Sequence, residues 1–415
     1  VRPLLSIALC FTLAPLAAAA PAPKAGEAAT ADWPQWLGPN RDGSTPETVA
    51  PWKGNLKEVW RVPVGEGHSS PVVAGGLVFL HTKVKDKDAE MVQAFDARTG
   101  KPKWEQSYTK PRFSTLFGDG PRATPCVHDG MVYTFGITGT LACWDAATGK
   151  PVWKTEVLAD VKKDNLFFGL SASPLIVGDN VVVQGGGGTS KGLKAYDRKT
   201  GKPAWTAGSD PASYAAPILV DKQIIVLTAA NLRSVSTDGK VNWAFPFKDQ
   251  LNESSTTPVK AGDLYIAASV TAGAAGVKVM GNMPEAAWKN PLLTCYFSTP
   301  VADGKGHLFL ITGVASLTNP SVTLRCVEAA TGKELWNKPK MGKYHAALLR
   351  LGDGKLLLHD DTTGDLRLLA ANPNQYEELA RSKACGPTWA HPAIAGGMIF
   401  ARDNKELVAL SLGGQ

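Results

Sequence analysis

The stretch Phe95-Asp96-Ala97-Arg98-Thr99-Gly100-Lys101-Pro102-Lys103-Trp104 recurs along the chain in near-identical form. The second copy runs from Trp144-Asp145 through Thr148-Gly149-Lys150-Pro151 to Trp153, and the third from Tyr196-Asp197 through Thr200-Gly201-Lys202-Pro203 to Trp205. A fourth copy places Glu328 at the acidic position, with Gly332 and Trp336 after it, and the pair Gly239 and Trp243 keeps the same spacing. Asp-x-x-Thr-Gly-Lys reads as a hairpin turn. The carboxylate accepts from amides two or three residues on, and the Gly supplies the positive φ that a tight turn requires. The residues before the acid alternate as a half-buried strand does. The Trp then lies on the next strand, where it offers a large apolar surface for packing one sheet on its neighbour.

Working outward, each copy is preceded by small residues ending in Pro, an apolar strand, a Gly/Asp turn and a second apolar strand. The marking positions are Pro71, Pro125, Pro174, Pro217, Pro258, Pro300, Leu348 in place of Pro, and Pro392. These are eight units with a mean period of about 46 residues. Four short strands per unit at this period predict an all-β fold, an eight-bladed β-propeller of four-stranded antiparallel blades. The last unit holds three strands, whereas Glu58-Val59-Trp60-Arg61-Val62 precedes the first unit as an orphan strand with its own Trp. This N-terminal strand is predicted to complete the last blade and close the ring.

These motifs resemble the repeat of the pyrroloquinoline quinone (PQQ)-type β-propellers, over residues 58 to 412. That superfamily contains quinoprotein dehydrogenases and also non-enzymatic members such as the outer-membrane assembly factor BamB, so the resemblance implies the fold more sharply than the activity. Trp-Asp occurs once, at Trp144-Asp145, and never as a repeat terminus, which sets aside the WD-type propellers. Quinoprotein dehydrogenases carry adjacent cysteines beside the quinone and insertions that build a Ca²⁺ site. This chain has no Cys-Cys pair and units near minimal length, so no catalytic residue is carried over. The expectation is an exported, non-enzymatic binding or scaffold propeller without a cofactor, contacting other envelope proteins through its blade loops. The alternative is a PQQ-dependent dehydrogenase using PQQ with Ca²⁺, or another enzyme or sensor using the axial channel.

Residues 1–22 read as a secretory signal: Arg2, an apolar run from Leu4 to Leu16, then small residues from Ala17 to Ala20. Residues 23–57 form a tether and a segment packing on a face of the ring, and 58–415 the propeller. The protein is expected in the periplasm or outside the cell, as a monomer without a lipid anchor or a membrane-spanning segment. The formal net charge of +7 comes from dispersed residues, which argues against a nucleic-acid surface. Of six cysteines, five follow the signal, an odd number with no metal-ligand spacing. Gly185 to Gly188 lacks the Lys-Thr/Ser of a phosphate loop and reads as a hairpin tip. No Gly-x-Ser-x-Gly elbow anchors a hydrolase triad.

Aligning the units yields one constellation. Three residues before each marking position stand His68, Arg122, Ser171, Tyr214, Ser255, Phe297, His345 and Trp389. One residue before stand Ser70, Thr124, Ser173, Ala216, Thr257, Thr299, Ala347 and His391. Positions two apart share a strand face, and the first strand of a blade lies nearest the axis. The first set should ring the mouth of the channel and the second line its throat. A ligand site would use Arg122, His68, His345 and His391 as donors, with Tyr214, Phe297, Tyr344 and Trp389 as walls. The competing expectation is a water-filled channel. No metal site is expected.

Overall fold

The computed structural model describes residues 32–314, 318 and 320–413. The expected signal, residues 1–22, and the first part of the expected tether lie outside them. Among the described residues the chain forms eight antiparallel sheets of four strands each and one short helix, Val161–Asp164. The sequence expectation of an eight-bladed propeller is met.

Blade 1 consists of Val72–Ala74, Leu77–Lys83, Ala89–Asp96 and Pro102–Thr109, in that order from the axis outward. Seven blades follow this pattern. Blade 8 takes Ala393–Ala395, Met398–Arg402 and Glu406–Ser411, and its fourth strand is Glu58–Pro63, which pairs Trp60 with Ala409 and Val62 with Leu407. The ring is therefore closed by strands far apart in sequence, Glu58–Pro63 covering the outward edge of Glu406–Ser411.

The turn chemistry is as the repeat predicts. Asp96 Oδ1 accepts from the Thr99 amide at 3.0 Å and its hydroxyl at 2.8 Å, and Asp145 and Asp197 hold Thr148 and Thr200 in the same way. Gly100, Gly149 and Gly201 adopt φ of 69°, 73° and 70°. These glycines have a second duty. Each lies under the Trp of the preceding blade: Trp60 over Gly100, Trp104 over Gly149, Trp153 over Gly201, Trp205 over Gly239 and Trp288 over Gly332. A Cβ on Gly149 would fall 2.5 Å from the Trp104 ring. The indole N–H groups of Trp60, Trp104, Trp153 and Trp288 donate to the carbonyls of Ala97, Ala146, Arg198 and Ala329 in the neighbouring turns at 2.9 to 3.0 Å. The Gly-x-x-x-Trp repeat is thus a joint between blades.

Three details of the structure go beyond the repeat. Trp104, Trp153, Trp205 and Trp336 are half-buried, because one face packs on the next blade while the outer edge meets solvent; Trp243 is buried. Trp288, which lacks a Gly four residues earlier, is the joint residue of blade 5. The third concerns Trp33 to Ser44, which does not pack on a face of the ring. It enters the axis at the far ends of the inner strands, pairing Trp33 with Val73 and Ser44 with Arg350. Arg41, 3% exposed, donates to the carbonyls of Ser173, Pro174 and Pro217 at 2.8 to 3.0 Å. A buried guanidinium with its fork of donors can satisfy converging strand-start carbonyls that a shorter side chain cannot reach.

Blade 7 shows why Pro marks the other units. With Leu348 in place of Pro the N–H is retained, and the inner strand starts early, as Ala346–Arg350. The Gly185–Gly188 stretch is indeed a hairpin tip, and it wraps the buried Asp164. The Thr189 amide and the Ser190 hydroxyl donate to that carboxylate at 2.7 and 2.6 Å. The five cysteines among the described residues are buried thiols.

Candidate functional site

The inner strands bring their first residues to the axis, and there a belt of hydrogen bonds joins blade to blade. The His391 amide donates to Ser70 Oγ, the Ser70 amide to Thr124 Oγ1 and the Thr124 amide to Ser173 Oγ, at 2.8 to 3.1 Å. The Thr257 amide donates to Thr299 Oγ1, and the Ala346 amide to Ser298 Oγ. Small hydroxylic residues stand in the throat because each satisfies the main chain of a neighbouring blade.

Above this belt lies a pocket open at one end, with about 780 Å³ of empty space including its mouth. Of the residues singled out from the sequence, His68, Arg122, Tyr214, Phe297, Trp389 and His391 line it together. Tyr344 meets Trp389 edge-on at 5.9 Å. His345 stands behind the wall, its ring 5.0 Å from that of His391. Three lining residues escaped the sequence reading. Phe117 and Phe168 come from non-repeating inter-blade loops, and Trp36 from the N-terminal segment. Trp36 donates its indole N–H to Thr257 Oγ1 at 2.9 Å and lies 4.5 Å from the His391 ring. It makes the channel a blind pocket. The closely spaced tryptophans of Trp33-Pro34-Gln35-Trp36 were the available signal.

The walls are aromatic. Trp389 is their hub, stacked with His68 at 4.9 Å and with Phe297 at 5.2 Å, and tilted against Phe117 at 5.2 Å. Such surfaces suit a flat ring. Arg122 supplies the charge. Its Nε donates to the Phe168 carbonyl at 2.7 Å, and its Nη2 to Thr115 Oγ1 and the Gly118 carbonyl. Among the described residues it forms no ion pair, and its Nη1 carries no hydrogen bond.

The histidines are not the cationic donors their clustering suggested. Burial, with the positive charge of Arg122, pushes His68 down to about 3, and burial alone takes His345 to about 3. Burial, with His345 and His359 nearby, holds His391 well below 6.5. Each is a neutral imidazole with one donor and one acceptor nitrogen. His391 is 2% exposed, and neither of its ring nitrogens has a partner.

Comparison with known proteins fits this architecture. The family model described as outer membrane protein assembly factor BamB matches residues 54–116 and 88–312, more than half of the chain. The chain belongs to this PQQ-repeat family. In sequence it is 30% identical over 152 residues to the quinohemoprotein alcohol dehydrogenase ADH-IIG of Pseudomonas putida, covering 34% of this chain and 20% of that protein. It is 29% identical over 179 residues to subunit 1 of the methanol dehydrogenase (cytochrome c) of Methylorubrum extorquens, covering 37% of this chain and 26% of that one. The chain thus spans about a fifth to a quarter of these relatives' length. In structure it resembles the quinohemoprotein alcohol dehydrogenase of Comamonas testosteroni, with a TM-score of 0.68 at 13% identity over 92% of this chain and 81% of that one. It also resembles BamB of Moraxella catarrhalis, with a TM-score of 0.60 at 16% identity over 86% and 99%. The expectation of a non-enzymatic binding or scaffold propeller is overturned by the sequence relatives, which are named as alcohol and methanol dehydrogenases.

The donor set can be tested against the groups those names imply. A planar quinone bearing carboxylates fits the aromatic walls of Phe117, Phe168, Phe297 and Trp389 and the unpaired Nη1 of Arg122. An accompanying divalent cation does not fit. Among the described residues no three His, Cys, Asp or Glu side chains are grouped to hold a metal ion. Of the acids of the mouth loops, Asp119 pairs with Lys83 and Glu253 accepts from the Tyr296 hydroxyl, and three others are committed to main-chain amides. Asp361 accepts from Lys343, Tyr344 and His345, Asp403 from Gly386, Lys405 and Glu406, and Asp249 from Leu251, Glu253 and Thr271.

Proposed function

We propose that the protein is a quinone-dependent oxidoreductase of the PQQ type, acting on a small alcohol in the axial pocket. The observation that carries this reading is the blind aromatic pocket with one guanidinium nitrogen left unpaired beside it. The dehydrogenase names of the sequence relatives support it. When bound, such a quinone supplies a two-electron acceptor for oxidising an alcohol to an aldehyde. Trp389 and Phe297 would hold the flat ring, and Arg122 Nη1 would pair a carboxylate. The closed throat, with Trp36 across it, limits water to the mouth side.

The test is dye reduction by the purified full chain incubated with PQQ, with methanol, ethanol and 1-butanol as substrates. Turnover with a primary alcohol is expected. Absence of turnover with every alcohol, in protein shown to bind PQQ, would overturn the reading. The proposal includes export, since the basic, apolar and small-residue order at residues 1–22 is that of a secretory signal. Fractionation and N-terminal sequencing of the protein from cells check that part.

A further inference from the structure

Half of the arginines among the described residues form ion pairs. Arg61, Arg198, Arg233, Arg325, Arg367 and Arg381, on the blades, each meet an Asp or Glu. Among the described residues Arg98, Arg112 and Arg350 form no ion pair, and neither do Arg41, Arg122 and Arg402. Arg41 under the pocket bonds to main-chain carbonyls and to Gln35. Arg122 in the wall bonds to two carbonyls and Thr115. Arg402, fully buried, bonds to the carbonyls of Asp403 and Gly65, and its Nη1 has no partner. Carbonyl dipoles solvate the buried Arg41 and Arg402 without neutralising them, which is costly, whereas Arg122 is half-buried. Of the three, Arg122 lines the pocket, where an anion would meet it.

We propose that the axial pocket takes a planar aromatic carboxylate without a divalent cation, Arg122 Nη1 pairing the carboxylate while Trp389 covers the ring. This inference rests on the quinone reading of the same pocket and departs from the Ca²⁺-assisted form of that chemistry. Two further observations point to the ligand. The wall around Arg122 is aromatic, with Phe117, Phe168, Phe297 and Trp389 lining the same pocket. Asp361, Asp403 and Asp249 are held by main-chain amides that freeing the acid would leave unsatisfied, and Asp119 and Glu253 are taken by Lys83 and Tyr296. The guanidinium therefore takes the electrostatic place that a cation would fill, and as a planar fork it matches a carboxylate.

The experiment is a titration of the full chain with PQQ, once in EDTA and once with Ca²⁺, read by calorimetry and by quenching of tryptophan fluorescence. Benzene-1,3,5-tricarboxylate in EDTA is a second probe. Stoichiometric PQQ binding of equal affinity in both buffers is expected, with the tricarboxylate competing. Arg122→Gln should weaken binding roughly tenfold or more, with the melting temperature recorded alongside; should that variant fail to fold, the two buffers decide. PQQ binding in Ca²⁺ alone would overturn this inference and leave the quinone reading intact. Binding of the tricarboxylate but not of PQQ would support the anion site and overturn the quinone reading. Binding of neither probe would overturn both.

Discussion

The main-chain N–H of His391 donates to the hydroxyl of Ser70 at 2.9 Å, across 321 positions of sequence. This bond fastens the last blade to the first at the axis, while Trp60 over Gly100 fastens them at the outer turns. Ser70→Ala leaves the buried His391 amide without an acceptor. It should cost about 1–3 kcal/mol, and hydrogen exchange at His391 should quicken relative to the mid-blade amides. Unchanged denaturant midpoint and exchange would show that the belt does not close the ring.

The Trp–Gly joint can be separated from backbone strain. Gly149 and Gly130 have nearly equal φ, 73° and 71°, but a Cβ at Gly130 meets nothing within 4 Å, whereas one at Gly149 meets the Trp104 ring at 2.5 Å. Both Ala variants bear the left-handed strain, and only Gly149→Ala adds the clash. Chemical denaturation should place Gly149→Ala about 1–3 kcal/mol below Gly130→Ala. Equal midpoints would mean that the Trp does not lock the blades.

Closure by Glu58–Pro63 predicts that a chain starting at Val64 loses more than an ordinary terminal truncation would. Blade 8 would expose the edge of Glu406–Ser411, and Trp60 would leave Gly100 and Phe400. Cooperative unfolding should be lost or shifted strongly downward. A truncated chain that melts with the full one would refute the assignment.

Arg41 holds the N-terminal segment in the axis. Arg41→Leu removes the donors to Ser173, Pro174 and Pro217, leaving buried carbonyls unmatched at about 1–3 kcal/mol each. Residues 32–57 should then become cleavable in limited proteolysis while the blades resist. Simultaneous digestion of segment and blades would show that the segment is part of the ring's core instead.

The buried histidines set a pH dependence. His68, His81 and His345 are pushed down to about 3 and His359 to about 4, chiefly by burial. Their folded values lie below the unfolded one, so between pH 6.5 and 4 the unfolded chain binds more protons. Stability is full above pH 6.5 and falls as pH decreases, by up to about 1.4 kcal/mol per pH unit for each histidine. Urea midpoints at pH 7.5 and 5.0 check this; a higher midpoint at pH 5.0 would contradict it.

The repeat determined the blade number, the turn chemistry, the closing strand and the identity of most mouth residues. In a propeller, equivalent positions of equivalent units stand at equivalent distances from the axis, so alignment of the units locates a ring of side chains that are far apart in sequence. His68, Arg122, Tyr214, Phe297, Trp389 and His391 were legible for that reason. What lies outside the repeat was not. Phe117 and Phe168 reach the pocket from loops of individual length, and Trp36 with Arg41 enters from a segment that belongs to no blade. Such contacts are set by long-range packing and leave no periodic trace. The protonation of the histidines was equally hidden, because solvent exclusion by neighbouring blades, not residue type, decides whether a clustered imidazole carries charge. The sequence supplied one arginine and three histidines at a mouth; the tertiary structure made them one cation with a free nitrogen and neutral rings in a closed aromatic pocket.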